Sequence, residues 1–306
     1  MAGQVFIHIG PPKTGTTSLQ MAFETLSHPS YAYEGTLQPR ERNLGSASQR
    51  LHDELCGEIE PEERDALQSD LNRISEFVDG GGVVVVSEEI LSLNSPERPF
   101  QMKIDLLAEL LNGIPTTILL TLRDPVVAIP SFYQEIFQSL PTELKMNFPQ
   151  FCSDSRALCF DYLEMQDMIV KSGLPAVRWL DFAKIERNEM TTRDVFGEHD
   201  LWNTLPIKIG AANRGAKSPD GKARIIPSLT LGDVADLVGL KQIAPLVGLS
   251  NSRFSRWVVT WLKRGRLSRA KSRRLIVPLE REMVLRGGYN TILKDIANRQ
   301  IDGRWP

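Results

Sequence analysis

The stretch Gln4-Val5-Phe6-Ile7-His8-Ile9-Gly10-Pro11-Pro12-Lys13-Thr14-Gly15-Thr16-Thr17-Ser18 decides the fold. It opens as an apolar run of strand length, passes through a turn marked by glycine and proline, and leads into helical spacing from Thr16 to Leu26. A strand that feeds a helix through such a turn begins a parallel α/β sheet. The turn also has a chemical sense. Successive backbone N–H groups around glycines form a concave nest for an anion, and a helix N-terminus adds about half a positive charge. Threonine hydroxyls supply further donors, and Lys13 supplies a full charge.

Outward from this stretch, strands are predicted near 82–87, 116–122 and 175–181, each rich in Val, Ile or Leu. The unbroken apolar runs Val83-Val84-Val85-Val86 and Ile118-Leu119-Leu120-Thr121-Leu122 suit strands covered on both faces, as in parallel sheets. Helical spacing is expected over Thr16–Leu26, Glu62–Val78, Met102–Leu111, part of 126–139 and Ser155–Lys171. Residues 28–60 show no clear period and read as a long excursion. The expected architecture is a P-loop-like, three-layer α/β fold with a central parallel sheet over residues 1–205. A composition shift near Pro206 leads into the Gly/Pro/Ser-rich stretch through Pro219-Asp220-Gly221, so residues 206–306 are expected to form a helical C-terminal extension.

The 306 residues are 42% hydrophobic, 24% charged and 7% aromatic, which excludes a disordered, collagen-like or low-complexity chain. No apolar run reaches the roughly 18 residues of a membrane span. Nor does the beginning carry a basic region followed by an apolar stretch and a small-residue cleavage site. Three cysteines, Cys56, Cys152 and Cys159, fit neither a disulfide framework nor a Cys-x-x-Cys pair. A cytoplasmic protein is expected. The net charge of −2 is unevenly spread, because residues 251–306 carry 14 Lys/Arg against 4 Asp/Glu, a net +10, and residues 1–250 carry −12. Trp257, Val258, Trp261 and Leu262 share a helical stripe within that basic tail, ringed by Arg253, Arg256, Lys263, Arg264 and Arg266. It reads either as a core-facing stripe with a solvated rim, or as a surface for an anionic lipid or an acidic glycan. Nucleic acid is not an expected partner.

A nucleoside triphosphatase loop reads Gly-x-x-x-x-Gly-Lys-Ser/Thr, and Gly10 with Gly15 keeps its glycine spacing. Thr16 stands where the lysine should follow, and the lysine comes three residues earlier at Lys13, which disfavours a nucleoside triphosphate with magnesium.

Pro12-Lys13-Thr14-Gly15-Thr16-Thr17 resembles the 5′-phosphosulfate loop of sulfotransferases that use 3′-phosphoadenosine 5′-phosphosulfate (PAPS). A second segment agrees with it. Ile118 to Leu122, closing on Arg123-Asp124-Pro125 and followed by Ser131-Phe132-Tyr133, is similar to that family's 3′-phosphate clamp, formed by an arginine at a strand end and a serine eight residues on. A guanidinium suits the role because its rigid fork grips two phosphate oxygens. The resemblance spans residues 4–205 and implies cofactor contacts from Pro12, Lys13, Thr14, Gly15, Thr16, Thr17, Ser18, Arg123 and Ser131. Asn213-Arg214-Gly215 is similar to a segment that closes the site in family members, so Arg214 and Gly215 join the set; a plain basic loop is the alternative. The chain departs from the cytosolic small-molecule enzymes in carrying Ser18 where a tryptophan commonly follows the threonines, and no histidine stands at the end of a central strand. His8 lies inside the first strand and reads as a hydrogen-bonded core residue.

Sulfuryl transfer needs a base for the acceptor hydroxyl and a cation for the departing phosphate oxygen. Lys13 suits the second role. Ser87-Glu88-Glu89 follows the Val83–Val86 strand, at the sheet edge where ligands bind. It resembles the carboxylate base of carbohydrate-type and bacterial sulfotransferases, with Glu89 favoured and Glu88 second. Both could instead be carboxylates at a helix start. The expected activity is transfer from PAPS to a hydroxyl of a carbohydrate, glycolipid or secondary metabolite, without a metal, in a bacterial enzyme. The alternatives are a P-loop kinase-like phosphotransferase and a non-catalytic adenosine bisphosphate-binding protein.

Overall fold

The computed structural model describes residues 3–37, 45–94, 98–174, 177–197 and 275–302. Five strands, β1 (Gln4–His8), β2 (Tyr31–Tyr33), β3 (Val83–Ser87), β4 (Thr116–Leu122) and β5 (Val177–Asp181), form one all-parallel sheet in the order β2-β3-β1-β4-β5. Among the described residues the α-helices are α1 (Thr16–Thr25), α2 (Ala47–Cys56), α3 (Pro61–Asp79), α4 (Phe100–Leu110), α5 (Pro125–Ile136), α6 (Thr142–Met146), α7 (Phe148–Cys152), α8 (Tyr162–Lys171), α9 (Phe182–Glu186), α10 (Thr192–Phe196) and α11 (Leu279–Asp302). The chain is thus an α/β protein, and no described helix is long and apolar enough to cross a membrane.

The described residues of Met1–Ala128, Ser155–Gly215 and Glu282–Pro306 group into one compact unit, and those of Ile129–Asp154 and Ala216–Arg281 into a second. The boundary expected near residue 205 lies outside the described residues, as do Arg214, Gly215 and the Trp257 stripe.

In the first unit β3 and β4 are buried along their whole length, so the continuous apolar runs do correspond to strands covered on both faces. On one face Phe6, Val83, Val85 and Leu119 pack with Leu19 and Phe23 of α1 and with Val195 and Phe196 of α10. In the second unit Tyr133 sits edge-on to Phe148 at 5.0 Å and tilted against Phe151 at 4.9 Å. Its hydroxyl donates to the carbonyls of Leu144 (3.1 Å) and Lys145 (2.8 Å), which fixes α6 beside the aromatic cluster.

The excursion expected over 28–60 holds β2 and α2. Strand β2 has three residues, too few for an alternation to register. Helix α2 is apolar only at Ala47, Leu51 and Leu55 among its buried positions, and its clearer signs are local. Ser46 caps it by accepting from the Gln49 N–H at 3.2 Å, and Gly57 closes it at φ 76°. The helix expected over Ser155–Lys171 breaks at Asp161 into a 3₁₀ turn, Ser155–Phe160, and α8. That break places Tyr162 beside the end of β4.

Candidate functional site

All the strands are parallel, so the loops leaving β1, β3, β4 and β5 open at one edge of the sheet. From β1 the chain passes over β3 to β2 at one edge of the sheet, returns to β3 and then crosses to β4 on the other side of β1, so the loops after β1 and β4 diverge. Such a crevice is the general ligand position of an open α/β sheet.

Gly10 opens the β1 loop over a buried polar layer. A Cβ there would stand 2.7 Å from His8 Nε2 and 3.2 Å from Thr121 Oγ1, so only glycine lets the backbone come this close. Beneath it, His8 shares hydrogen bonds with Ser87 Oγ through Nδ1 (2.8 Å) and with Thr121 Oγ1 through Nε2 (3.2 Å). Its ring is fully buried, and desolvation lowers its pKa from 6.5 to about 3. His8 is therefore neutral at physiological pH and supports the loop from below.

This burial has a pH signature. Below 6.5 the unfolded chain takes up a proton that the folded chain refuses down to about 3, so stability falls as pH drops through that window. One proton corresponds to about 1.4 kcal/mol per pH unit. Denaturant unfolding of wild type and His8→Asn between pH 6.5 and 4 checks this: the wild-type slope should exceed that of the variant by about one proton. Parallel slopes would show that His8 titrates in the folded state.

Further along the loop, Lys13 is held at φ 65° and Gly15, the residue preceding α1, at φ 87°. A lysine in the left-handed region costs on the order of 1 kcal/mol, a kind of strain that clusters at ligand clamps. Thr14 is buried and its hydroxyl donates to the Pro11 carbonyl at 2.5 Å, closing the turn. No side chain caps the start of α1, and a helix N-terminus favours an anion. Pro12 is buried, Thr17 half-buried, and Ser18 only 6% exposed within α1.

Arg123 leaves the end of β4 and reaches this loop. Its Nη1 donates to the Lys13 carbonyl at 2.5 Å, and its guanidinium lies 4.6 Å from the Phe182 ring centroid. The Tyr162 hydroxyl accepts from the Arg123 N–H (3.1 Å) and donates to the Arg123 carbonyl (2.7 Å), which clamps the backbone on both sides. Asp124, the next residue along the chain, pairs with Arg286 at 3.2 Å. Arg123 makes no ion pair among the described residues. Burial presses its pKa below the usual arginine range, while Glu186, Tyr162 and Asp124 pull the other way. A half-buried cation facing a backbone carbonyl and a ring is poised for an incoming anion. Ser131 is half-buried in α5 and belongs to the second unit.

The two glutamates part as they leave β3. Glu88 is 4% exposed; it accepts from the Thr36 hydroxyl and, at 3.0 Å, from the Ile90 N–H, so it caps the 3₁₀ turn Glu89–Ser92. Glu89 is half-buried and accepts from the hydroxyl of Thr16, at the first position of α1. Lys13, Thr16, Glu89 and Arg123 thus belong to one constellation, and Glu88 is occupied with local structure.

Phe182 and Tyr162 are the site residues that the sequence reading missed. Phe182 follows the last residue of β5, and its ring would lie 3.0 Å from a Cβ at Gly15, so it touches both the loop and Arg123. Its place after a strand of a parallel sheet was the available signal. Tyr162 had none, because its partners are backbone atoms 39 residues away. No family model matches the chain, and a search of curated proteins gives no match either.

Proposed function

We propose that the chain is a PAPS-dependent sulfotransferase with a P-loop-like donor site. Arg123 carries this reading: it is a half-buried guanidinium that makes no ion pair among the described residues, held by Tyr162 and Phe182 against the carbonyl of Lys13. A second cation held beside the loop suits a donor that carries a separate 3′-phosphate.

In the proposed step the acceptor hydroxyl oxygen attacks sulfur and the bond from sulfur to the 5′-phosphate oxygen breaks. Adenosine 3′,5′-bisphosphate leaves. Glu89 takes the hydroxyl proton, and Lys13 with the first-turn N–H groups of α1 stabilises charge on the departing oxygen. Thr16 now donates to Glu89. When that hydroxyl turns to a donor oxygen, the carboxylate regains the lone pair it needs as a base. No metal takes part in this step. The acceptor class favoured by the sequence is a carbohydrate, glycolipid or secondary metabolite, and the setting a bacterial cytoplasm.

Ligand that binds only the folded state raises its melting temperature by mass action. Adenosine 3′,5′-bisphosphate without metal should raise the Tm more than ATP with magnesium does, and labelled PAPS should pass its sulfur to an acceptor in a hydroxyl screen. Greater stabilisation by ATP with magnesium would identify a phosphotransferase. Binding of bisphosphate with no transfer to any acceptor would identify a binding protein. Arg123→Ala should weaken bisphosphate binding by about 2 kcal/mol, roughly 30-fold, the scale of a lost charge-assisted contact. Wild-type affinity in that variant would remove Arg123 from the donor site.

A further inference from the structure

The C-terminal end of α2 gathers a second set of donors that the proposed transfer does not use. Gly57 turns the chain back at φ 76°, and the N–H groups of Glu58 and Ile59 both donate to the Asp53 carbonyl, at 2.7 and 3.1 Å. This reversal returns Glu58 over the last turn of the helix. One ligand atom each from His52, Asp53 and Glu58 then lies within 4.8 Å of the others. Two of the three are partly sheltered, the His52 side chain being 16% exposed and that of Asp53 25%.

The imidazole is oriented at both nitrogens. Nδ1 is 2.9 Å from Asp53 Oδ1, and Nε2 is 3.5 Å from Cys56 Sγ, one helical turn further on. A metal-bound histidine characteristically has such an outer partner on its second nitrogen, which fixes the tautomer. The helix C-terminus adds partial negative charge at the same point. Arg98 flanks Gly57, where a Cβ would stand 2.7 Å from its guanidinium, so an incoming cation shares this end of the helix with it.

We infer that this end of α2 binds a divalent transition cation of the zinc class through His52 Nδ1, Asp53 and Glu58, with Cys56 accepting from the Nε2–H as outer support. One imidazole and two carboxylates suit a borderline cation better than calcium or magnesium, which prefer all-oxygen sets. Water completes the coordination. The ion displaces the proton between His52 and Asp53, and ties the returning chain at Glu58 to the helix. Because α2 packs on the 3₁₀ turn Glu89–Ser92 and on α4, the tie stiffens ground next to the catalytic edge.

Calorimetric titration of the chelator-treated full chain with zinc chloride tests this. One saturable site per chain is expected, with binding weakened at least tenfold in both His52→Gln and Glu58→Gln, and about tenfold in Cys56→Ser. Glu54→Gln, which removes a neighbouring charge paired with Arg64, should bind like wild type. Circular dichroism of the metal-free variants controls for folding, and should His52→Gln unfold, the exposed Glu58 carries the test alone. No saturation up to millimolar zinc, equal losses in Glu54→Gln and Glu58→Gln, or unchanged affinity in Glu58→Gln overturns the site. Cobalt separates the donor sets: an intense near-ultraviolet thiolate-to-cobalt band that vanishes in Cys56→Ser would put sulfur on the metal and overturn the assigned ligands.

Discussion

Glu89→Gln should lower turnover by roughly 10²–10⁴ with bisphosphate affinity nearly unchanged, because the amide keeps the reach of the carboxylate and loses only its basicity. It can still accept from the Thr16 hydroxyl, so the contact that places residue 89 against the loop survives. Glu88→Gln is the contrast. Its carboxylate is buried against Thr36 and the Ile90 N–H, so the change should cost about 1–2 kcal/mol of stability and leave turnover within a few-fold. The readouts are single-turnover rates with labelled PAPS and the acceptor found by screening, beside denaturant melts of both variants. Similar rate losses in the two would mean that the segment after β3 acts through its fold and not as a base. A loss confined to Glu88→Gln would move the proton to the buried carboxylate.

The same pair shows where sequence reading reached and where it stopped. Alternation along an extended chain says that consecutive residues leave β3 on opposite sides, and they do, toward Thr36 and toward Thr16. The resemblance favours Glu89, but the contact that sets it against Thr16 of α1 depends on β3 lying beside β1, which is a property of sheet order. The strands were legible because a core buried on both faces demands unbroken apolar runs, as in Val83–Val86. Helix α2 was not, since its inward face carries only three apolar side chains and its stability leans on caps and on packing with α3 and α4. The tyrosine clamp on Arg123 was invisible for a different reason. A hydroxyl that bonds backbone atoms leaves no pattern in the partner's side chains, and Tyr162 reads in the sequence as any buried aromatic. His8 lies between: its place in the apolar run predicts burial, whereas its use of both nitrogens beneath Gly10, from the last position of β1, depends on the register that sets it opposite Ser87 and Leu119.

Lys13→Gly should separate stability from catalysis at the loop. Lysine at φ 65° occupies backbone space that glycine enters without penalty, and relief of about 1 kcal/mol offsets the extra flexibility that glycine gives the unfolded chain. The melting temperature should therefore hold or rise. Turnover should fall by roughly 10²–10³, the range seen when one preorganised group that stabilises developing charge is removed. Bisphosphate affinity should change less than in Arg123→Ala, because the lysine is assigned to charge that develops as the sulfur–oxygen bond breaks, whereas the 3′-phosphate carries its charge throughout. Lys13→Ala keeps the unfavourable backbone and loses the ammonium, so it should share the rate loss without the gain in stability. If the lysine serves only to shape the turn, glycine and alanine will differ in rate as they differ in stability. Equal rates at unequal stabilities, both far below wild type, assign the loss to the charge.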